Sequence, residues 1–319
     1  MESIAWTTAE QASRRRVPGW KRLLRSYRLH GGLILMFLPG FLVFLLFEYV
    51  PIYGLLIAFK DYQMLEGIWG SAWVGFEHFE RLFTGAGFME ALQNTVVISL
   101  LKLVIVFPAP VILALMLNEV RLVLLRKVIQ TLSYLPHFFS WVILSGILFS
   151  FLGQDGGFNQ LTGWFGLEPV SWLLFPRYFY GIVVASDIWQ GVGWGSIVYF
   201  AALTSIDPTL YDAATVDGAS RWQQIWKITL PSIMPTVIIM FLLNISGFLS
   251  VGFDQIYNLM TPTTSSVAEI LDTYVLRRLL TMDYSLGTAA GIFKSLVGLT
   301  LVLTANRLVK WYDRDQGLW

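Results

Sequence analysis

The chain has 319 residues, of which 55% are hydrophobic, 15% aromatic and only 13% charged, and its mean hydropathy is +0.62. Soluble domains carry about 25% charged residues, so this composition excludes an ordinary water-exposed globule and points to a chain that crosses a membrane several times. A net charge of +1 gives no sign of a nucleic-acid partner; the lack of cysteine excludes disulfides and thiolate metal sites, and His30, His78 and His137 are too scattered to read as metal ligands.

Residues 1–30 form a basic segment holding Arg14, Arg15, Arg16, Lys21, Arg22, Arg25 and Arg28. The basic region is long and the apolar stretch after it exceeds a signal-peptide core, so no cleavable signal is expected. Trp20, Leu23, Leu24 and Tyr27 repeat at helical spacing among the cations. That suits either a helix lying on anionic lipid at the cytoplasmic surface or a basic tail that sets topology.

Residues 31–319 read as one all-α membrane domain. About 20 apolar residues cross a bilayer core, and six stretches qualify: 33–59, 95–117, 128–152, 179–203, 228–253 and 286–309. Pro39, Pro51, Pro108, Pro110, Pro136 and Pro235 fall within or at the ends of these spans. They are expected to kink the helices rather than break them, because neighbours re-satisfy the freed carbonyls. Between spans five and six, Leu271, Val275 and Leu279 predict a short helix on the outer side.

Lysine and arginine set the orientation. The N-terminal segment, the loop with Arg121, Arg126 and Lys127, the loop with Arg221 and Lys227, and the tail with Arg307, Lys310 and Arg314 are the basic ones. The alternate loops hold only Lys60, Arg81, Arg177, Arg277 and Arg278. Both termini are therefore expected in the cytoplasm.

The cytoplasmic loop at 207–231 is the most informative segment. Asp207 followed by Pro208 reads as an N-cap with proline at the first helical position. Leu210, Ala213 and Ala214 share a face of the helix that follows, over about 209–217. Gly218 ends it in a left-handed residue, and Ser220 with Gln223 forms a capping box. A second helix follows, carrying Trp222, Ile225 and Trp226 and running to Leu230 and Pro231. On the residues alone this is a helix–turn–helix that either connects two spans or offers small residues to an approaching surface.

The order Asp212-Ala213-Ala214, Asp217-Gly218-Ala219 and Ile228-Thr229-Leu230-Pro231 resembles the EAA loop of binding-protein-dependent ABC importer permeases of the type I, maltose-like kind, with Asp212 in place of the usual glutamate. Asn94-Thr95, Pro108-Ala109-Pro110, Asn118-Glu119 and Asp254-Gln255-Ile256-Tyr257 are similar to the oligosaccharide and polysaccharide branch, alginate-type importers among them. The resemblance implies a permease subunit of the bacterial inner membrane that has no catalysis of its own. It also implies a second permease, two ATPases docked on the cytoplasmic loops, an external solute-binding protein and a carbohydrate solute. The chain lacks Gly-x-x-x-x-Gly-Lys-Ser/Thr, so ATP and magnesium are expected on the partner ATPases. Asp212, Ala213, Ala214, Asp217, Gly218 and Ala219 are the expected ATPase-coupling residues.

Polar side chains within spans suggest a solute route. Candidates are Lys102, Asp187, Trp189, Gln190, Trp194, Asn244, Ser246, Ser250, Phe253 and Lys294. Alignment outward from the coupling motif of maltose-type permeases picks out Asp187, Gln190, Gly191, Ser246, Ser250 and Phe253. Aromatic faces with hydroxyls and amides suit sugars. The same residues also suit hydrogen bonds between helices and tryptophans at the interface. Lys102 and Lys294 either pair with Asp187 or a partner subunit, or face the route and favour an acidic sugar. Two other functions stay open on the residues. One is a secondary transporter of small polar solutes, with Asp187 as its coupling carboxylate. The other is a membrane enzyme built on Asp61, Glu66, Glu77 and His78, which show no recognisable spacing.

Overall fold

The computed structural model describes residues 31–312. The basic segment 1–30, with its Trp20, Leu23, Leu24 and Tyr27 pattern, and the tail from 313, with Arg314, lie outside the described residues. The chain divides into two compact units, one ending at Leu56 and one starting at Ile57. Helix α1 (Gly31–Phe44) of the first unit passes through a π turn (Leu45–Tyr49) into a 3₁₀ helix (Val50–Phe59) whose last three residues belong to the second.

The second unit opens with a hairpin of two-residue strands, β1 (Lys60–Asp61) antiparallel to β2 (Ala72–Trp73). Lys60 Nζ closes it by donating to the carbonyls of Ile68 at 2.6 Å and Ser71 at 3.2 Å. The rest is helical: α2 (Glu77–Thr84), α3 (Phe88–Leu101), α4 (Pro108–Glu119), α5 (Val123–Tyr134), α6 (Trp141–Leu152), α7 (Gly157–Gly163) and α8 (Pro176–Thr204). These are followed by α9 (Pro208–Val216), α10 (Arg221–Gln224), α11 (Leu230–Ser246), α12 (Phe253–Leu259), α13 (Leu271–Leu280) and α14 (Tyr284–Tyr312). Helix α13 is the short helix expected from Leu271, Val275 and Leu279.

Among the described residues, five helical stretches are long and apolar enough to cross a membrane: Gly31–Phe59, Phe88–Glu119, Trp141–Gly163, Arg221–Ser246 and Tyr284–Trp311. The expected fourth span, 179–203, falls within α8, which is not among these five although its 29 residues reach about 44 Å at 1.5 Å per residue. Its Asp187, Gln190 and several glycines and serines leave it less apolar than the other five.

Three of the prolines are accommodated by one repeated device. The residue before Pro51, Pro108 and Pro231 donates its amide five residues back: Val50 to Leu45, Phe107 to Lys102 and Leu230 to Ile225. A proline has no amide and its ring displaces the carbonyl four residues earlier; widening one turn to π geometry keeps the helix continuous. Spans one, two and five therefore run through their prolines, as expected for Pro51 and Pro108.

Two expected spans need correction. The stretch 128–152 is not a continuous helix. The chain turns through a 3₁₀ segment (Leu135–Phe138), and Phe139 and Ser140 are extended before α6 starts. Pro136 starts the break, and the His137 ring, stacked on Trp194 at 4.6 Å and 4°, holds it open. Span five ends at Ser246 and not at 253. Residues 247–252 form an unwound loop, Gly252 adopts φ +86°, and Phe253 starts α12.

Helix α8 lies along α4 and α5 and touches α11, while α14 packs on α13, α11 and α2. Val111, Ala114, Tyr199, Leu203 and Ile233 fill the α4–α8–α11 core, and Phe88, Ala91, Tyr274, Ala289 and Ala290 the α3–α13–α14 core. A Cβ on Gly193 would lie 2.1 Å from the Ser133 carbonyl oxygen, so α8 and α5 meet backbone to backbone there. At Gly191, two residues away, a Cβ would meet nothing within 4 Å. Gly193→Ala is expected to destabilise the purified protein by about 1–3 kcal/mol through overpacking, with Gly191→Ala close to wild type. Thermal unfolding of the two variants side by side checks this.

Candidate functional site

The polar centre of the bundle is Lys102, at the foot of α3 where the π turn before Pro108 begins. Its ammonium group contacts Asp187 Oδ2 on α8 at 2.7 Å, the Val251 carbonyl at 2.7 Å and Gln255 Oε1 on α12 at 2.6 Å. An ammonium has three donors, so all are committed. Gln255 is buried and donates through Nε2 to the Val183 carbonyl at 2.8 Å and to Ser186 Oγ at 2.9 Å. Ser99, one turn before Lys102, donates its hydroxyl to the Phe248 carbonyl. Side chains of α3 thus satisfy carbonyls of the unwound 247–252 loop, as irregular backbone within a membrane domain requires.

A cavity of about 350 Å³ opens beside this cluster, lined by Lys102, Asp187, Gly191, Asn244 and Ser250 together with Pro110 and Tyr199. A second cleft of about 550 Å³ lies on the other side of the loop and includes Ser246, Ser250, Asp272 and Lys294. Ser250 is exposed and lines both. Lys294 pairs with Asp272 Oδ1 at 2.5 Å.

The structure therefore brings Lys102, Asp187, Gly191, Asn244, Ser246, Ser250 and Lys294 to two adjoining cavities and leaves four candidates out. Trp189 lines a separate apolar cavity of about 640 Å³ with Phe151, Phe158 and Trp172. Trp194 is occupied by its stack on His137, Phe253 stacks on Tyr257 at 5.2 Å, and Gln190 lines neither polar cavity. Of the alternatives open for the two lysines, Lys102 pairs with Asp187, whereas Lys294 pairs with Asp272 and not with Asp187. Gln255 and Asp272 were missed as site residues. Gln255 stood in plain view in the Asp254-Gln255-Ile256-Tyr257 run, but its inward direction depends on the loop before α12.

Asn94 and Thr95 anchor the middle of α3. Asn94 Nδ2 donates to the carbonyls of Ser266 and Glu269, both at 3.0 Å, and its Oδ1 accepts from Tyr180 at 3.1 Å. Thr95 Oγ1 accepts from the Leu271 amide at 2.9 Å.

The 207–231 loop has the local geometry its residues dictate. Asp207 Oδ1 accepts from the Thr209 amide at 2.9 Å, a cap that holds the Asp207 carboxyl below its ordinary range. Gly218 takes φ +79°, and the Ala219 amide closes back on the Ala214 carbonyl at 2.9 Å. Ser220 and Gln223 make the capping box. The second helix does not end at Leu230 and Pro231. It continues through a π turn (Ile225–Thr229) into α11, so the loop is a rigid extension of a span. Helix α9 is braced against that extension by Tyr211 OH on Thr229 Oγ1 at 2.9 Å and by Gln224 Nε2 on Thr215 Oγ1 at 3.1 Å.

Of the expected coupling residues, Ala213, Asp217 and Gly218 are exposed beside Leu210 and Val216, the latter 88% exposed. Ala214 and Ala219 are half-buried. Asp212 is exposed at a polar cavity of about 410 Å³ shared with Asn118, Glu119 and Gln224. Arg221 lies 3.9 Å from Glu119 across it.

Residues 106–317 match the family described as binding-protein-dependent transport system inner membrane component. The chain belongs to this family. It is accordingly a multi-pass component of an inner-membrane transport system, not an enzyme, and the secondary-transporter reading falls away. The Bacillus subtilis (strain 168) polygalacturonan/rhamnogalacturonan transport system permease protein YteP is 48% identical over 297 residues, 92% of each chain. Protein LplB of the same organism is 44% identical, covering 89% of this chain and 90% of its own. A crystal structure of a bacterial ABC transporter involved in the import of the acidic polysaccharide alginate aligns with a TM-score of 0.85 and 41% identity, over 92% of this chain and 99% of that one.

Lys102→Met leaves a mostly buried Asp187 without its cation and frees the Val251 carbonyl. Its expected cost is on the order of 3 kcal/mol, the penalty for breaking a buried pair from one side. The double variant Lys102→Met, Asp187→Leu should recover part of that loss, since it removes both charges. Thermal unfolding of the two purified variants measures the difference; a double variant less stable than Lys102→Met would contradict the pairing.

Proposed function

We propose that this chain and a second permease form the solute pathway of an ABC importer that moves an oligo- or polysaccharide into the cell. The carrying observation is α9, a capped helix with an exposed small-residue face, braced rigidly on the span whose outer end bounds both polar cavities. Two ATPase subunits, which hold the ATP and magnesium, dock on α9 and its counterpart in the second permease. Closure of the ATPases moves α9. Because α10, the π turn and α11 are one continuous helix, that motion reaches Ser246 and the 247–252 loop. An external solute-binding protein delivers the sugar.

The reading takes six spans, α8 being the fourth, with both ends in the cytoplasm; the alternation of lysine- and arginine-rich loops along the sequence supports that orientation. The carbohydrate class is supported by the polygalacturonan and rhamnogalacturonan named for one relative and the alginate of the structural neighbour. It also fits cavities that combine hydroxyl, amide and apolar walls.

Gly218→Val tests the coupling. No atom lies within 4 Å of a Cβ built there, so the substitution acts through the left-handed backbone, at a cost of roughly 1–2 kcal/mol. The variant should assemble with its partners in the membrane, yet lose uptake and lose stimulation of ATP hydrolysis by loaded binding protein. Normal transport by Gly218→Val would reduce the loop to a connector and overturn the proposal.

A further inference from the structure

The two lysines within the bundle differ in what their surroundings leave free. Lys102 has three partners for three donors. Lys294, on α14, has one partner among the described residues, Asp272 on α13. Two ammonium donors and Asp272 Oδ2 therefore remain unengaged, and the side chains keep 20% and 23% of their surface exposed. They open on the cleft of about 550 Å³, a size within the roughly 300–1,000 Å³ of small-molecule sites. Ser246 and Ser295 also line it and give their hydroxyl protons to the carbonyls of Leu243 and Gly291. Toward the cleft they are left as acceptors. Leu249, Val275 and Leu299 supply apolar walls.

This donor and acceptor set discriminates between guests. A carboxylate only accepts. It would find Lys294 but would sit against Asp272, a like charge, and against serine oxygens that have no proton to offer. A sugar hydroxyl both donates and accepts. Two adjacent hydroxyls can take a hydrogen bond from Lys294 and give one to Asp272 without breaking the ion pair, while the C–H face of the ring lies on Leu249 and Val275. We propose that the cleft around Lys294 and Asp272 is a saccharide subsite that reads a pair of neighbouring hydroxyls rather than a carboxylate. It rests on the carbohydrate-import reading above.

The test uses the assembled importer in lipid nanodiscs without its solute-binding protein, titrated by saturation-transfer NMR with galactotriose and, separately, with its uronate counterpart trigalacturonate. Lys294→Met and Asp272→Asn should each raise the Kd for both sugars on the order of tenfold, as expected for loss of a hydrogen bond to a charged group. A loss confined to trigalacturonate would make the cleft a carboxylate site and overturn the proposal; unchanged binding of both sugars would make the ion pair a packing feature and overturn it too. Should the charge variants fail to assemble, Ser295→Val decides, because it fills the same cleft and leaves the pair intact. It should weaken both sugars severalfold, and wild-type affinity in it would reject the subsite. ATP-driven uptake by the wild-type importer separates the two levels. Transport of either sugar with unchanged variant binding overturns the subsite alone, whereas a wild-type importer that neither transports nor binds them overturns the carbohydrate reading and the subsite with it.

Discussion

The bundle depends on one ammonium group. Lys102 holds together three things the sequence separates widely: the carboxylate of α8, the unwound end of the α11 span and the start of α12. A break in a membrane helix exposes carbonyls that lipid cannot satisfy. Here Lys102 and Ser99 supply the missing donors from α3, and Gln255 ties the far side of the break back to α8. The ion pair makes the lysine tolerable at this depth, and the lysine makes the loop tolerable. Neither charge would be stable there alone, so the pair and the loop form one unit, and the cavities on either side of it follow from the loop's shape.

The second constraint is helical continuity through proline. Three spans carry a proline where the chain must stay rigid, and each widens a single turn to π geometry just before it. At Lys102 the widened turn also sets the direction of the side chain, since the π segment starts on that residue. At Ile225 it joins the 207–231 loop to α11 without a joint. Pro39 and Pro235 sit inside α-helices without such a turn, and Pro136 behaves differently again. There the chain unwinds, and an aromatic stack of His137 on Trp194 takes the place of the lost turn.

Much of this was legible in the sequence. The caps and the left-handed glycine of the 207–231 loop were readable, because they act locally and need no tertiary partner, but the run of its second helix into α11 was not. The spans were readable as apolar stretches, but their ends were not. Composition alone cannot separate Ser246 from Phe253, since Gly247, Phe248, Leu249 and Val251 are as apolar as a helix would be, and only Gly252 hints at the break. The pairing of Lys102 with Asp187 was among the open alternatives. The pairing of Lys294 with Asp272 was not, because Asp272 lies in the polar segment before the last span and comes near Lys294 only once α13 packs along α14. Gln190 was drawn in as a polar residue within a span and by alignment with maltose-type permeases, yet it lines neither polar cavity.

The central claim is that the face carrying Ala213 meets an ATPase on the cytoplasmic side, far from the loop that carries Ser266. The absence of native cysteine makes this directly measurable. A single cysteine at Ala213, in the assembled importer in membrane vesicles, should form a disulfide with a cysteine in the ATPase docking groove under mild oxidation. A cysteine at Ser266 should form none and should react only with impermeant reagents supplied from outside. A cross-link from Ser266, or an Ala213 cysteine labelled from outside and free of the ATPase, would contradict the account.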